Sequence, residues 1–229
     1  MTTKTGAAPG PAPAPTRREQ ILREAARLFA ERGFHGVGVD EIGAAVGISG
    51  PGLYRHFAGK DAMLAELLVG ISERLHDGGR LRLAESEAAS RSPSDTLDAL
   101  IDGHIDFALD DRALITLHDR ELDRLRDADR KRVRRLQRGY VELWVSVVRE
   151  VHPEVPEQQA RTAVHAVFGL LNSTPHLSRP TAEQPTQRRD VTAALLHRLA
   201  RGAFAAAGAG DGDGRGRRGQ GRETPRSAR

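Results

Sequence analysis

The chain has 229 residues, enough for one large domain or two small ones. It contains no cysteine, which excludes disulfides and thiolate metal sites, and it has no run of the roughly 18 to 20 consecutive apolar residues that a membrane-spanning helix needs. Lys/Arg outnumber Asp/Glu by seven to five in residues 16–60 and by seven to three in 1–15 and 207–229 together, whereas 61–206 hold 21 against 23. The basic balance comes mostly from the two ends and is only weak support for a nucleic-acid partner.

The two ends of the chain lack apolar periodicity. Residues 1–15 are rich in Ala and Pro, and residues 207–229 are rich in Gly and Arg. Both are expected to be disordered tails. The arginines near the C-terminus predict a solubilising tail rather than contacts to DNA phosphates. The N-terminus lacks the long apolar run of a secretory signal, so no such signal is expected. A cytoplasmic, nucleoid-associated protein is therefore expected.

Between the tails the signal is helical throughout. Thr16 and Glu19 have the spacing of a capping box for a first helix, which Gly33 ends. A short helix over Val39–Val46 and another from Ser49 follow, and Asp61 opens a fourth. Longer helices are predicted over about 94–109, 112–124, 127–151, 156–172 and 186–206. No alternating strand pattern is present, so the prediction is an all-α chain of about nine helices.

Residues 38–57, GVDEIGAAVGISGPGLYRHF, predict a helix-turn-helix. Gly47 can take the left-handed conformation that ends the first helix, and Ser49 can cap the second. Leu53 and Phe57 lie four residues apart and would anchor that helix to the first. The second helix would then lie in the major groove of DNA. An ordinary helical hairpin in a core remains the less favoured alternative.

Residues 17–68 resemble the DNA-binding domain of the TetR/AcrR family. The matching runs are ILREAARLFAERGF, VDEIGAAVGIS, LYRHF and FAGKDAML. The resemblance implies a three-helix DNA-binding domain at 16–60 and a larger helical ligand-binding and dimerisation domain at 61–206. It also implies a sequence-specific regulator, expected to be a ligand-released repressor that binds a near-palindromic operator as a dimer.

The resemblance also assigns DNA-binding positions. In this sequence they are Val39, Ser49, Gly50, Pro51, Gly52, Tyr54, Arg55, His56 and Lys60. Tyr54 and His56 match backbone-contacting positions, Arg55 a position that reaches base edges, and Lys60 a phosphate-binding position. The chain departs from the family pattern at Val37 and Gly38, and at Gly50 and Gly52, which lack the polar side chains common there. Lys60→Ala is expected to weaken all DNA about equally and to lower the salt slope by roughly one unit.

The family likeness further places dimerisation in about 156–173 and 186–206 and a small-molecule pocket among the middle helices. The pocket candidates are His104, Phe107, His118, Tyr140, Trp144, Phe168 and Asn172. For each of them, core packing is the more ordinary explanation. AVFGLLNSTPH (166–176) is similar to actinobacterial members linked to fatty-acid or acyl-CoA metabolism, which suggests an acyl-CoA or another hydrophobic effector.

Six basic residues in 130–138 leave two interpretations open: a solvated, ion-paired face, which is favoured, or a site for a phosphorylated ligand. No catalytic motif, metal spacing or phosphate loop is present, so neither an enzyme nor a cofactor is expected. The alternatives to a repressor are an activator or dual regulator of the same fold and, less favoured, a helical interaction protein without specific DNA binding.

Overall fold

The computed structural model describes residues 14–177 and 185–209 of the chain. Within them the regular structure is helical, without a β-strand, and comprises two 3-10 turns (Leu122–Arg124 and Thr174–His176) and nine α-helices: α1 (Arg17–Arg32), α2 (Val39–Ala45), α3 (Gly50–Tyr54), α4 (Lys60–Ala88), α5 (Pro93–Asp110), α6 (Arg112–Glu121), α7 (Asp127–Val151), α8 (Glu157–Leu171) and α9 (Pro185–Gly208). The all-α prediction is confirmed. Residues 1–13 and 210–229 of the predicted tails lie outside the described residues.

Local hydrogen bonds explain where several helices begin and end. The Glu19 N–H donates to the Thr16 hydroxyl at 3.3 Å, and the Glu19 carboxylate accepts from the Thr16 N–H at 2.7 Å. The carboxylate also accepts from the Thr16 hydroxyl at 3.0 Å, and these two bonds from Thr16 hold the pKa of Glu19 below its usual value because they favour the ionised carboxylate. Ser92 and Asp95 form the same reciprocal pair before α5. Gly33 ends α1 at a φ of 76°, which glycine adopts without a steric penalty.

The chain divides into two compact units. The first unit contains residues 14–74 and 111–135, and the second contains 75–110, 136–177 and 185–209. The first unit is larger than the 16–60 domain expected from the sequence, because α6 packs against α1. Helices α4 and α7 contribute residues to both units.

Each unit has its own buried side chains. Those of the first unit include Ile21, Phe29, Phe34, Ile42, Leu53, Met63 and Leu68. Those of the second unit include Leu97, Ile101, Trp144, Val148, Val164, Ala200 and Phe204, where α5, α7, α8 and α9 meet. Among the described residues, none of the helices combines the length and the apolarity needed to cross a bilayer.

Candidate DNA-binding surface and effector site

The turn between α2 and α3 is tight and depends on two glycines. Gly47 has a φ of 71°, and the Ile48 N–H donates to the Gly43 carbonyl at 2.9 Å. A Cβ on Gly43 would lie 2.8 Å from the Ile48 carbonyl oxygen, so a side chain there would push the turn away. The Ser49 hydroxyl accepts from the Gly52 N–H at 3.3 Å and caps α3. The predicted roles of Gly47 and Ser49 are thus present in the structure.

Helix α3 turns its apolar side chain inward and its polar side chains outward. Leu53 is fully buried, and Phe57 just beyond the helix is 3% exposed. Tyr54 is 57% exposed although its ring is large and apolar. Pro51 and Arg55 are also exposed. The remaining predicted DNA-binding positions are exposed or half-buried: Val39, Ser49, Gly50, Gly52, His56 and Lys60.

Lys60 has an internal role that the sequence did not reveal. Its Nζ donates to the backbone carbonyls of Phe34 at 3.0 Å and Val37 at 3.2 Å, and it lies 4.6 Å from the centre of the Phe34 ring. The ammonium group therefore holds the segment that joins α1 to α2. At least two of its three donors are satisfied within the protein, so the phosphate contact stays a prediction.

Arg18 holds the segment that follows α3. Its guanidinium donates to the His56 carbonyl and to both carboxylate oxygens of Glu66. It also lies 4.1 Å above the centre of the Phe57 ring, within cation–π range. Residues at the start of α1 and within α4 thereby fix the segment that follows α3.

In the second unit, six of the seven pocket candidates come together. His104 stacks on Phe168 with ring centroids 4.8 Å apart, and Tyr140 stacks on Phe168 at 5.4 Å. Trp144 meets the Phe168 ring edge-on at 5.1 Å, and Phe107 meets His104 edge-on at 5.7 Å. We call His104, Phe107, Tyr140, Trp144, Phe168 and Asn172 the aromatic cluster. His118 lies on α6, in the first unit.

Polar atoms inside the cluster are neutral. His104 Nδ1 lies 3.3 Å from the Tyr140 hydroxyl, and Nε2 lies 3.1 Å from Asn172 Oδ1. Burial lowers the pKa of His104 to about 4, with the Asn172 hydrogen bond opposing the shift. Burial also raises the pKa of Tyr140 to about 12, although the nearby Trp144 indole and Arg82 offset part of the rise. At neutral pH the cluster thus offers uncharged donors and acceptors among rings.

One donor in the cluster lacks a well-aligned acceptor. The indole Nε1 of Trp144 is buried and makes no hydrogen bond of good geometry among the described residues, although it lies near enough to the Tyr140 hydroxyl to lower the pKa of that group. A buried polar group without a partner costs free energy. A ligand with an acceptor atom would satisfy it.

Helices α8 and α9 pack on each other and leave part of α9 uncovered within this chain. Val191 is 65% exposed, and Leu195 and Leu199 are each 46% exposed. Their spacing of four residues places them on one face of α9. Other apolar residues of the predicted dimer segments, in contrast, are buried in the core of their own unit: Val164, Val167 and Phe204.

The opposite side of α9 is attached to α5 by hydrogen bonds and an ion pair. His197 Nδ1 lies 2.7 Å from Asp102, and its Nε2 lies 3.0 Å from Asp98. Arg189 contacts Asp106 at 2.9 Å. These contacts fix which face of α9 points outward.

Comparison with known proteins gives two family matches. Residues 21–67 match the family model described as "Bacterial regulatory proteins, tetR family", and residues 90–181 match "Tetracyclin repressor-like, C-terminal domain". The chain belongs to the TetR family. The family consists of transcription regulators rather than enzymes, which agrees with the expectation of no catalytic activity.

Curated relatives of this TetR-family protein match mainly over short stretches. The HTH-type transcriptional activator FasR of Mycolicibacterium smegmatis is 38% identical over 71 residues, 31% of this chain and 32% of that protein. The HTH-type transcriptional repressor KstR2 of Rhodococcus jostii is 40% identical over 85 residues, 37% of this chain and 40% of that protein. The alignments thus span well under half of these relatives.

A solved structure extends the likeness of fold over most of the chain. The ketosteroid transcriptional regulator KstR2 of Mycobacterium tuberculosis superposes with a TM-score of 0.66 and 23% identity, covering 82% of this chain and 96% of that one. This likeness concerns the fold alone.

The sequence expectations did not include one contact of the second unit. Arg82 on α4 lies against Gly103 on α5, where a Cβ would collide with its guanidinium. Its hydrogen bond in the described residues goes to the Gly78 carbonyl at 3.1 Å rather than to a carboxylate. This contact could be found only by pairing a basic residue on one helix with a glycine on the facing helix. A single sequence does not show which residues of two helices face each other.

The basic run in α7 is largely ion-paired. Arg130 and Lys131 contact Asp127, Arg132 contacts Glu73, and Arg134 contacts Asp123 at 3.4 Å. This arrangement agrees with the solvated, ion-paired interpretation favoured by the sequence.

Proposed function

We propose that the protein is a sequence-specific DNA-binding transcription regulator that represses its target promoter as a homodimer until an effector releases it. The observation that carries the proposal is the α2–turn–α3 hairpin, with Leu53 buried beneath it and Tyr54 and Arg55 displayed outward. A short helix so supported suits the major groove. Its place of action would be the nucleoid in the cytoplasm.

The DNA contacts are proposed at Val39, Ser49, Gly50, Pro51, Gly52, Tyr54, Arg55, His56 and Lys60. Arg55 is suited to guanine, whose O6 and N7 accept from a guanidinium. Tyr54 has the exposure needed to reach the DNA backbone. Gly52 contributes no side chain, and Lys60 already donates to two carbonyls. Affinity is therefore expected to depend mainly on Tyr54 and Arg55.

The dimer is proposed to form through 156–173 and 186–206. One reading helix contacts too few base pairs for a unique genomic site, and a two-fold dimer reads a near-palindrome. The exposed stripe of Val191, Leu195 and Leu199 supports this surface, because burying apolar area drives association. Leu195→Arg should convert the dimer to monomer in light scattering and should abolish operator binding, whereas Leu81→Arg, on α4, should change neither.

The effector is proposed to be an acyl-CoA or another hydrophobic molecule that enters the aromatic cluster. The half-buried Phe168 ring covers the His104–Tyr140 pair, and the Trp144 Nε1 lacks a well-aligned acceptor. An apolar ligand with a carbonyl or hydroxyl group would displace the ring and satisfy the indole. The printed description of KstR2 as a ketosteroid regulator makes a ketosteroid the second ligand to test.

Two measurements test the regulator. A shift assay with the DNA upstream of the protein's own gene, with and without competitor DNA, should show specific binding; binding that competitor DNA abolishes at every salt concentration would favour a helical interaction protein instead. Long-chain acyl-CoA should release the operator complex and raise the melting temperature, whereas free coenzyme A should do neither. If acyl-CoA has no effect and a ketosteroid does, the acyl-CoA proposal is wrong.

An activator or dual regulator is the second candidate, since the relative FasR is named an activator and the relative KstR2 a repressor. Deletion of the gene separates the two. Transcription from the bound promoter should rise if the protein represses it and fall if the protein activates it.

A further inference from the structure

The structure describes every residue from 16 to 60. Most charged side chains of this range form hydrogen bonds or ion pairs within the first unit. Five of the Lys/Arg residues in this range have such a contact: Arg17 to the Val46 carbonyl, Arg18 to Glu66, Arg27 to Glu24 and Glu31, Arg32 to Glu41, and Lys60 to the carbonyls of Phe34 and Val37. These contacts hold the cations in place, and fewer of their donors are left for DNA phosphates.

Three charged side chains of this range have neither a hydrogen bond nor an ion pair among the described residues: Arg23 on α1, and Arg55 and Asp40. The last two are exposed. Both belong to the α2–turn–α3 hairpin, Asp40 in the first turn of α2 and Arg55 at the end of α3. An unpaired carboxylate on a surface that meets polyanionic DNA is unfavourable unless it has a partner in the complex.

The position of Asp40 is tied to a glycine of the reading helix. A Cβ on Gly50, the first residue of α3, would collide with the Asp40 carboxylate oxygen Oδ1. The absence of a side chain at Gly50 therefore makes the space in which the carboxylate lies. The carboxylate lies beside the start of α3, is exposed, and keeps its acceptor oxygens free.

We propose that Asp40 is a specificity-determining residue, whose carboxylate accepts a hydrogen bond from the exocyclic N4 amino group of a cytosine in the major groove. Carboxylates select this donor among the base edges, as arginine selects guanine. The proposal rests on the proposed function as a DNA-binding regulator. At sites that lack such an amino group, the same carboxylate repels the phosphates and weakens binding.

Asp40→Asn tests this role, with Asp61→Asn as the matched control. Asp61 is also exposed and lies in the first turn of α4. Its replacement by Asn changes the net charge by the same amount as Asp40→Asn does. Operators are selected from a random duplex library with the wild type, and affinities are measured on the selected operator, on versions with each cytosine replaced, and on a random duplex.

The wild type should lose about five- to hundredfold in affinity when one particular cytosine of each half-site is replaced. Asp40→Asn should respond to that replacement by no more than about twofold and should bind the random duplex more tightly than either the wild type or Asp61→Asn. Asp61→Asn should discriminate as the wild type does.

Three results would overturn the assignment. If Asp40→Asn rejects the replaced operators as strongly as the wild type does, the carboxylate reads no base. If the variant loses affinity for every duplex together with a lower melting temperature, Asp40 is a structural residue of the hairpin. If the wild type and Asp61→Asn bind selected and random DNA equally, the proposed function fails, and the Asp40 assignment falls with it.

Discussion

Polar groups stabilise the two units in different ways. In the first unit, Lys60 and Arg18 donate from charged groups to backbone carbonyls near the surface, and they hold the segments on either side of the α2–α3 hairpin. In the second unit, His104 is uncharged, buried and hydrogen-bonded to Tyr140 and Asn172. The first arrangement positions an exposed reading surface, whereas the second keeps polar atoms ready inside an apolar interior.

The contrast has an energetic consequence. Charge-assisted bonds at a surface are weakened by solvent and salt, so each contributes modestly. A buried neutral group depends on every partner, because nothing else satisfies it. Variants in the second unit should therefore have larger effects on stability than variants in the first.

The largest effect is expected at Trp144, which is fully buried and touches the rings of Tyr140, Phe168 and Phe204. Trp144→Ala removes that packing and leaves a cavity, which should lower the free energy of unfolding by about 3–5 kcal/mol. Urea denaturation followed by circular dichroism measures it. Leu81→Ala, at a side chain 59% exposed, serves as the control and should change stability little. A similar small loss for Trp144→Ala would remove the energetic contrast.

The next effect is a dependence on pH that originates at His104. Its pKa falls from 6.5 to about 4 on folding, so the unfolded chain binds the proton more tightly. Stability should be constant above about pH 6.5 and should fall as the pH drops toward 4, by up to about 3 kcal/mol. Denaturation at a series of pH values tests this.

His104→Gln is the variant that isolates this dependence. It should be less stable at neutral pH but should lose less additional stability between pH 6.5 and 4 than the wild type does. Equal slopes for the two proteins would mean that other groups cause the acid sensitivity and that His104 is not held neutral.

The sequence predicted contacts between residues close together in the chain better than contacts between distant ones. Thr16, Gly47 and Ser49 act on residues within about one turn, so the sequence predicted the caps and the helix-turn-helix. It also predicted the ring residues of the aromatic cluster as candidates. It did not predict that His104 pairs with both Tyr140 and Asn172, because these partners lie 36 and 68 positions away in the chain.

The same reasoning explains what was missed. The resemblance implies a phosphate contact for Lys60, which stays a prediction, but it does not reveal that the ammonium donates to carbonyls 23 and 26 residues earlier. Nothing in the sequence marks Arg82, since a basic residue on a helix is ordinarily solvated and its neighbour Gly103 is distant in sequence. Both features depend on how helices pack, which periodicity does not specify.

A smaller effect is expected at Lys60. Lys60→Met leaves the carbonyls of Phe34 and Val37 without their donor and should lower stability by about 1–2 kcal/mol. Arg55→Met, at an exposed cation with no partner in the described residues, should leave stability unchanged and reduce DNA binding. If Lys60→Met instead keeps full stability and lowers the salt slope of DNA binding by about one unit, its main partner is phosphate.

The smallest effect concerns Ser90, at the junction between α4 and α5 in the second unit. Its φ of 50° lies in the left-handed region, which costs a residue with a Cβ about 1–2 kcal/mol relative to glycine. The Arg91 N–H donates to the Ser86 carbonyl at 2.9 Å and closes the end of α4 around this conformation. Ser90→Gly relieves the strain but frees the unfolded chain, so the free energy of unfolding should rise by a net amount of about 0.5 kcal/mol.

Ala89→Gly, one position earlier and without a positive φ, is the control and should destabilise instead. Opposite signs at adjacent positions would show that backbone strain, rather than general flexibility, limits the stability of this junction, and a loss at both would show that the Ser90 hydroxyl contributes more than its backbone costs.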